Sequence, residues 1–156
     1  MLTPEMQDVL QTFPGSYISA VGANNVPVIT RVVGLSVEDG DHVRVHIPRW
    51  YSDAFLATIA SRPQVAIVGV QVMTYRTFQF KGEVLDHGAP EDADQQTIAS
   101  YVEGFGNFVS QVGIDAERYN AVYASAPFHT LRVRVDQVFD QTPRVGAGNL
   151  IKERSA

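Results

Sequence analysis

Between Ser16 and Phe139 the chain keeps returning to short runs in which apolar and polar residues alternate, separated by turn-forming residues. This period-two pattern limits the fold more than any other feature. Ser16–Ala23, rich in small and β-branched residues, reads as a strand, and Asn24-Asn25 supplies a hairpin turn because Asn tolerates positive φ. Val26–Val37 is the second strand, with Pro27 acceptable near its start. Glu38-Asp39-Gly40-Asp41 then turns the chain into a third strand, His42–Pro48, completing an antiparallel meander. Gln64–Met73 is almost continuously apolar, which predicts a strand buried on both faces. Thr74–His87 alternates again, with Gly82 marking a bulge. Phe128–Phe139 sets Leu131, Val133 and Val135 against Arg132, Arg134 and Asp136.

Helical periodicity fills the gaps. Thr3-Pro4-Glu5 starts a helix whose apolar stripe is Met6, Val9, Leu10 and Phe13, closed by Pro14-Gly15. Ser52–Ser61 has Ser52 as cap, Asp53 in the first turn and Phe55, Leu56 and Ile59 on one face, and Arg62-Pro63 ends it. Pro90–Val112 opens with acids and presents Ile98, Tyr101, Val102, Phe105 and Phe108–Val109 at helical spacing, and Asp115–Ser125 is a further short helix. The stretch after Asp140, with Pro143, Gly146 and Gly148, reads as irregular. Six strands in 156 residues, without the βα alternation of a parallel sheet, predict a mainly β fold: a six-stranded antiparallel barrel closed to protect its edges. The expected organisation is a single domain, 1–156, with a helical insertion at about 90–125 and an irregular tail at 141–156.

Charge and cysteine content then remove whole classes of function. The net charge is -5 and no Lys/Arg cluster exists, so the counterion-releasing footprint of a nucleic-acid binder is missing. Arg132 and Arg134 lie on alternate residues of a strand and read as a solvated face. The same balance disfavours an acidic membrane surface. With no cysteine, disulfides, zinc–thiolate sites and cysteine nucleophiles are excluded. Met1–Val9 does not read as a secretory signal and no run reaches membrane-span length, so a reducing cytoplasm is the expected location.

The common catalytic templates fail too. There is no Gly-x-Ser-x-Gly elbow and no phosphate loop, and Gly146-Ala147-Gly148 is not set between a strand and a helix. His42 and His46 sit on a strand, where four residues span roughly 13 Å, too far for one metal ion. No metal site is therefore expected, and these histidines read as surface or core residues. Glu91-Asp92 and Asp92-Asp94 read as a helix N-terminus.

What remains is an arrangement. A strand carries Thr30-Arg31-Val32-Val33, and the next strand ends in His46-Ile47-Pro48-Arg49-Trp50-Tyr51. A short helix follows and finishes in Ser61-Arg62-Pro63, leading into the apolar strand, and Tyr75-Arg76-Thr77-Phe78 precedes Gly82. In this order, with Val138-Phe139-Asp140-Gln141-Thr142-Pro143 behind, the chain resembles the pyridoxamine 5′-phosphate oxidase-like, FMN-binding split-barrel superfamily over roughly residues 16 to 87.

That resemblance implies a homodimer with FMN in the groove between two barrels. It implies Arg31, Val32 and Val33 against the flavin ring and phosphate, Arg49, Trp50 and Ser52 at the phosphate, and Arg76 and Thr77 contributed by the partner chain. The chemistry is sound in itself: guanidinium groups give a phosphate charge-assisted hydrogen bonds, a helix N-terminus favours an anion, and Trp50 or Tyr51 suits the edge of a flavin ring. Family lysines are replaced here by Ser36 and by the Ser52–Phe55 stretch, and the usual Gln by Thr77, which thins the phosphate clamp to Arg31 and Arg49, with Arg76 from the partner.

Two functions follow from the resemblance. One is an FMN-dependent oxidoreductase acting on a small-molecule substrate, in which the flavin carries the redox chemistry and no protein-based catalytic acid or base is needed. The other is a non-catalytic module holding a flavin, haem or other flat ligand, with His129 or His46 the residue to watch for haem. Beyond the resemblance, pairing has one hint in the sequence: Pro90–Val112 carries more aromatic surface than one small barrel requires.

Overall fold

The structure is a computed structural model describing residues 2–11, 15–124 and 126–154. Phe13, Pro14 and Ser125, given parts in the helices above, lie outside the described residues, as does the side chain of Tyr51. The chain runs α1 (Pro4–Gln11), β1 (Tyr17–Val21), β2 (Pro27–Arg31), β3 (Leu35–Asp39) and β4 (His42–Pro48). A single 3-10 turn at Arg49–Tyr51 leads into α2 (Asp53–Ser61), β5 (Gln64–Gln71) and β6 (Arg76–Gly88). Then come α3 (Asp92–Ser110), α4 (Ala116–Ala124), β7 (Phe128–Asp140) and β8 (Asn149–Glu153).

The mainly β, antiparallel reading holds, but the described residues contain eight strands where six were expected. One extra strand comes from a break in Val26–Val37. The Val32 N–H donates to the Ser16 carbonyl at 3.0 Å, whereas the Val33 N–H donates to the His46 carbonyl at 2.7 Å. Consecutive residues thus pair with opposite ends of the sheet. Gly34 completes the crossing at φ +99°, a left-handed conformation that glycine adopts without a Cβ penalty. The other extra strand is β8, in the stretch expected to be irregular, where Asn149 to Glu153 pair along β7 from Asp140 back to Gln137.

The order across the sheet is β2-β1-β5-β6-β7-β4-β3, with β8 beside β7. Its two ends, β2 and β3, are consecutive in sequence, so the Val32–Gly34 crossing curls the sheet into a barrel. Inside lie Ile18, Val43, Ile47, Ile67, Phe78, Phe80, Leu131 and Val138, all essentially without solvent exposure. Helix α1 packs on β3, β5 and β6, and α2 on β1 and β2. The expected bulge at Gly82 is present as a register shift between Lys81 and Gly82. A Cβ there would lie 1.9 Å from the Arg134 carbonyl oxygen, so the close strand approach requires glycine.

Two local expectations are corrected. Strand β5 is not buried on both faces: Val65 and Ile67 point inward, while Ala66, Val68 and Val70 stay half-buried on the outer face. Ser52 stands at the N-cap of α2 but makes no side-chain cap hydrogen bond. The acidic start of α3 is confirmed as a capping box, with the Glu91 N–H donating to Asp94.

Candidate functional site

The end of β2, the 3-10 turn and the α3–α4 pair converge outside the barrel. Val33, Ile98, Tyr101 and Val102 form a second buried cluster there, with Phe105, Tyr119, Tyr123 and Phe128 packed against it. Arg31 projects into this cluster. Its guanidinium lies 4.8 Å from the centre of the Phe105 ring and donates to the Tyr119 hydroxyl at 3.4 Å, and Tyr101 accepts a further hydrogen bond from it. The Arg31 Nε is buried and has no partner. Burial raises the Tyr101 and Tyr119 phenols above their ordinary value, so both remain neutral acceptors around the cation at physiological pH.

Arg49 and Trp50 sit at the edge of the same neighbourhood. The Arg49 N–H donates to the Pro127 carbonyl at 2.8 Å, and its guanidinium lies 3.2 Å from the exposed carboxylate of Asp53. Trp50, 46% exposed, meets Tyr123 edge-on at 5.7 Å, and Tyr123 meets Tyr119 at 5.1 Å, so a ladder of rings connects Trp50 to Arg31. Ser52 is fully buried and its hydroxyl is engaged by the Pro48 carbonyl and by Thr30 Oγ1. Val32 and Val33 are buried, leaving only backbone at the crossing.

Six of the eight nominated residues thus share one region, and Arg76 and Thr77 lie elsewhere. Arg76 pairs with Glu5 at 2.6 Å and Asp140 at 2.9 Å, donates to Thr142 and covers Phe78. Thr77 donates to the Tyr75 carbonyl. Burial alone would push the Asp140 carboxyl up, but Thr142, Arg144 and Arg76 outweigh it and hold it far below the carboxylate range. In this chain these residues tie α1 and β6 to the end of β7.

The outer face of the barrel adjoins Arg31. Strand register sets Arg31, Tyr17, Val68, Gln79 and Phe139 in one outward row across β2, β1, β5, β6 and β7. Tyr17, Val21 and Ile29 on this face are exposed, Ile29 at 65%.

Sequence reasoning missed the residues that enclose Arg31. Tyr101 and Phe105, and Tyr119 and Tyr123, are i,i+4 pairs that mark helix faces, but nothing in their spacing says that both faces close on residue 31. The aromatic excess of Pro90–Val112, read as a hint of pairing between chains, is met within the chain by α4 and Arg31. Also missed was Arg44, which holds the buried Asp94 by two hydrogen bonds of 2.7 and 2.6 Å. His46 lies beside them, fully buried, with Nδ1 3.0 Å from Thr130 Oγ1 and Nε2 3.9 Å from Asp94. His129 Nε2 is 2.8 Å from His87 Nδ1.

Tested against the phosphate that the resemblance implies, the residues fit at two points. Arg31 keeps an unpaired buried donor, and Arg49 faces only a solvent-screened surface partner. Ser52 does not fit, because its hydroxyl is already engaged within the fold. No group of three or more metal-ligating side chains occurs among the described residues, and none of the described helices is long and apolar enough to cross a membrane.

The sequence matches no protein-family model and no curated protein. Solved structures do match. HupZ of Group A Streptococcus superposes with a TM-score of 0.58 at 15% identity, over 96% of this chain and 99% of that one. An FMN-binding protein from Syntrophomonas wolfei gives 0.57 at 10% identity, over 96% and 85%. A Clostridium acetobutylicum protein of the pyridoxinephosphate oxidase family, related to general stress protein 26, gives 0.50 at 12% identity, over 88% and 84%. The chain has the split-barrel fold of the pyridoxamine 5′-phosphate oxidase-like proteins.

Proposed function

We propose that this chain is an FMN-dependent oxidoreductase that works as a homodimer, with the flavin held where the Arg31 neighbourhood meets the outer sheet face of a second copy. The observation that carries the reading is the outward row that starts at Arg31 and continues through exposed Tyr17. It puts a cation with a free buried donor at the border of an uncovered apolar face. Arg31 and Arg49 would hold the phosphate by charge-assisted hydrogen bonds. Trp50 and the Tyr119–Tyr123 ladder offer aromatic surface to a planar ring. Ser52 has no part in this, and neither does Arg76 while it is bound to Glu5 and Asp140. FMN, when bound, supplies the electron transfer, and the protein supplies orientation, charge and exclusion of water. The FMN-binding description of the S. wolfei structure supports this, as does the pyridoxinephosphate oxidase family of the C. acetobutylicum one.

Titration of the purified protein with FMN tests the reading. Saturable quenching of flavin fluorescence is expected, together with flavin bands that bleach under a nicotinamide reductant. Arg31→Ala should weaken binding by about 2 kcal/mol, roughly thirtyfold, the scale of one hydrogen bond to a charged group. Absence of binding, or unchanged affinity in the variant, overturns the reading.

A further inference from the structure

Two histidines far apart in sequence stand together on the sheet. The His87 Nδ1 lies 2.8 Å from the His129 Nε2 and the ring centres are 5.0 Å apart, so the rings meet nitrogen to nitrogen. Strand pairing brings them there. His129 lies two residues before Leu131 on the same side of β7, and Leu131 pairs with His87 of β6. That pairing depends on the register shift between Val84 and Asp86. Without it His87 would stand opposite Thr130 and project from the other face. The irregularity in β6 therefore turns this imidazole toward its partner. His87 is exposed and His129 half-buried, so solvent reaches the pair.

We propose that His87 and His129 form an open transition-metal site that takes copper(II), with water in the remaining positions. At about 2.0 Å from a tetragonal ion, neighbouring nitrogens are about 2.8 Å apart, so the pair already has the separation of two adjacent ligands and only the tilt of the rings has to change. In the hydrogen-bonded pair one ring donates an N–H to the other. For both nitrogens to ligate, that proton moves to the far nitrogen of its own ring, a tautomer change that leaves both imidazoles neutral. The small number of ligands selects the metal. Copper(II) heads the affinity series of the divalent ions and favours a tetragonal set of nitrogen and oxygen ligands, whereas zinc sites draw on three or four protein ligands. The Arg49 cation acts on His129, but its guanidinium lies 3.2 Å from Asp53, which offsets the charge. His129 follows Phe128 of the aromatic cluster, so the pair adjoins the Arg31 neighbourhood, but copper binding there does not require FMN.

The probe is copper(II) sulfate, titrated into the full-length protein without FMN at neutral pH and followed by calorimetry and EPR. One equivalent should bind with a dissociation constant of about 10 μM or below, and the spectrum should show two equatorial nitrogens. Zinc(II) sulfate should bind about tenfold more weakly or less. His87→Gln and His129→Gln should each weaken copper by about a hundredfold, the scale lost when a two-point attachment becomes a one-point attachment. Thermal midpoints should be retained, because neither ring belongs to a buried cluster. His42→Gln, at the His42–Asp39 pair, should leave copper binding unaltered. The proposal is overturned if no copper binds at about 100 μM, a level well above the expected dissociation constant. It is also overturned if the spectrum shows a single nitrogen, if zinc binds equally well, if either His87→Gln or His129→Gln leaves affinity unchanged, or if binding is lost with His42→Gln instead. All these readouts are made without FMN, so the flavin reading and the copper site stand or fall separately.

Discussion

The residue that most directly couples this fold to its conditions is His46. It is fully buried on β4, faces Asp94 of α3 and Thr130 of β7, stands near Arg44 of its own strand and packs against the Gly34 crossing. Burial is the largest influence and lowers its pKa, Asp94 opposes, Arg44 adds to the lowering, and the result is about 4. The folded protein therefore keeps a neutral imidazole between pH 6.5 and 4, while the unfolded chain takes up a proton there. Because the unfolded state binds more protons in that window, stability falls as pH drops through it, by about 3 kcal/mol in total. His129, also lowered by burial, acts in the same direction, though it is partly exposed and contributes less. Urea midpoints measured from pH 7 to 4 should trace this slope. His46→Gln, which keeps a hydrogen-bonding group near Thr130 and cannot titrate, should flatten most of it, and an unchanged slope would remove His46 as the cause. Asp94 extends the trend to lower pH. Burial pushes its carboxyl up, but the Arg44 guanidinium and the Glu91 N–H outweigh that and hold it below the usual range.

Among the secondary-structure elements, Gly82 in β6 offers the sharpest stability test. Its Cα lies against the β7 backbone, and a methyl group would overlap the Arg134 carbonyl oxygen, which no side-chain rotation can relieve. Gly82→Ala should cost about 3 kcal/mol, the upper range for overpacking, read as a lowered denaturation midpoint with the β spectrum retained. A neutral result would mean the strands can separate at the bulge. Gly82 was legible in the sequence because a glycine inside an alternating run is anomalous. The crossing at Val32–Gly34 was not, since Thr30-Arg31-Val32-Val33 carries on the pattern of a strand. Its break depends on where the partner carbonyls of Ser16 and His46 lie, and those are long-range facts. Strand β8 was hidden because Leu150 and Ile151 are adjacent and do not alternate, and both are exposed. Helices α3 and α4 were legible as helices, but their aromatic side read as a surface for a second chain and instead packs within this one. The guanidinium at the centre of that side was not legible, because a contact between residue 31 and residues 101, 105 and 119 leaves no local pattern. Arg31 could be nominated only through the resemblance, and its aromatic surroundings only from the structure.

For the whole molecule, the question is what covers the outer face of β2, β1 and β5. On the far side of the barrel the outward strand residues Arg132 and Arg134 are charged and paired, with Glu38, Glu83 and Asp136. The face carrying Tyr17, Val21, Ile29, Ala66 and Val68 has no such chemistry, and burying it against an identical face would remove apolar surface at the usual hydrophobic gain. On the reading proposed above, a two-fold pairing there would bring two Arg31 residues to the borders of one interface, one for each flavin. Ile29→Lys tests this with little risk to folding, because the side chain is exposed in the single chain. In the dimer it would place two ammonium groups in an apolar contact. Light scattering should find the unaltered protein as a dimer and the variant as a monomer with a similar thermal profile. FMN affinity should fall with dissociation, since half of each site would leave with the partner. A monomeric unaltered protein that still binds FMN would show that Arg31, Arg49 and the ring ladder suffice within one chain. A dimer that survives Ile29→Lys would move the interface to another face.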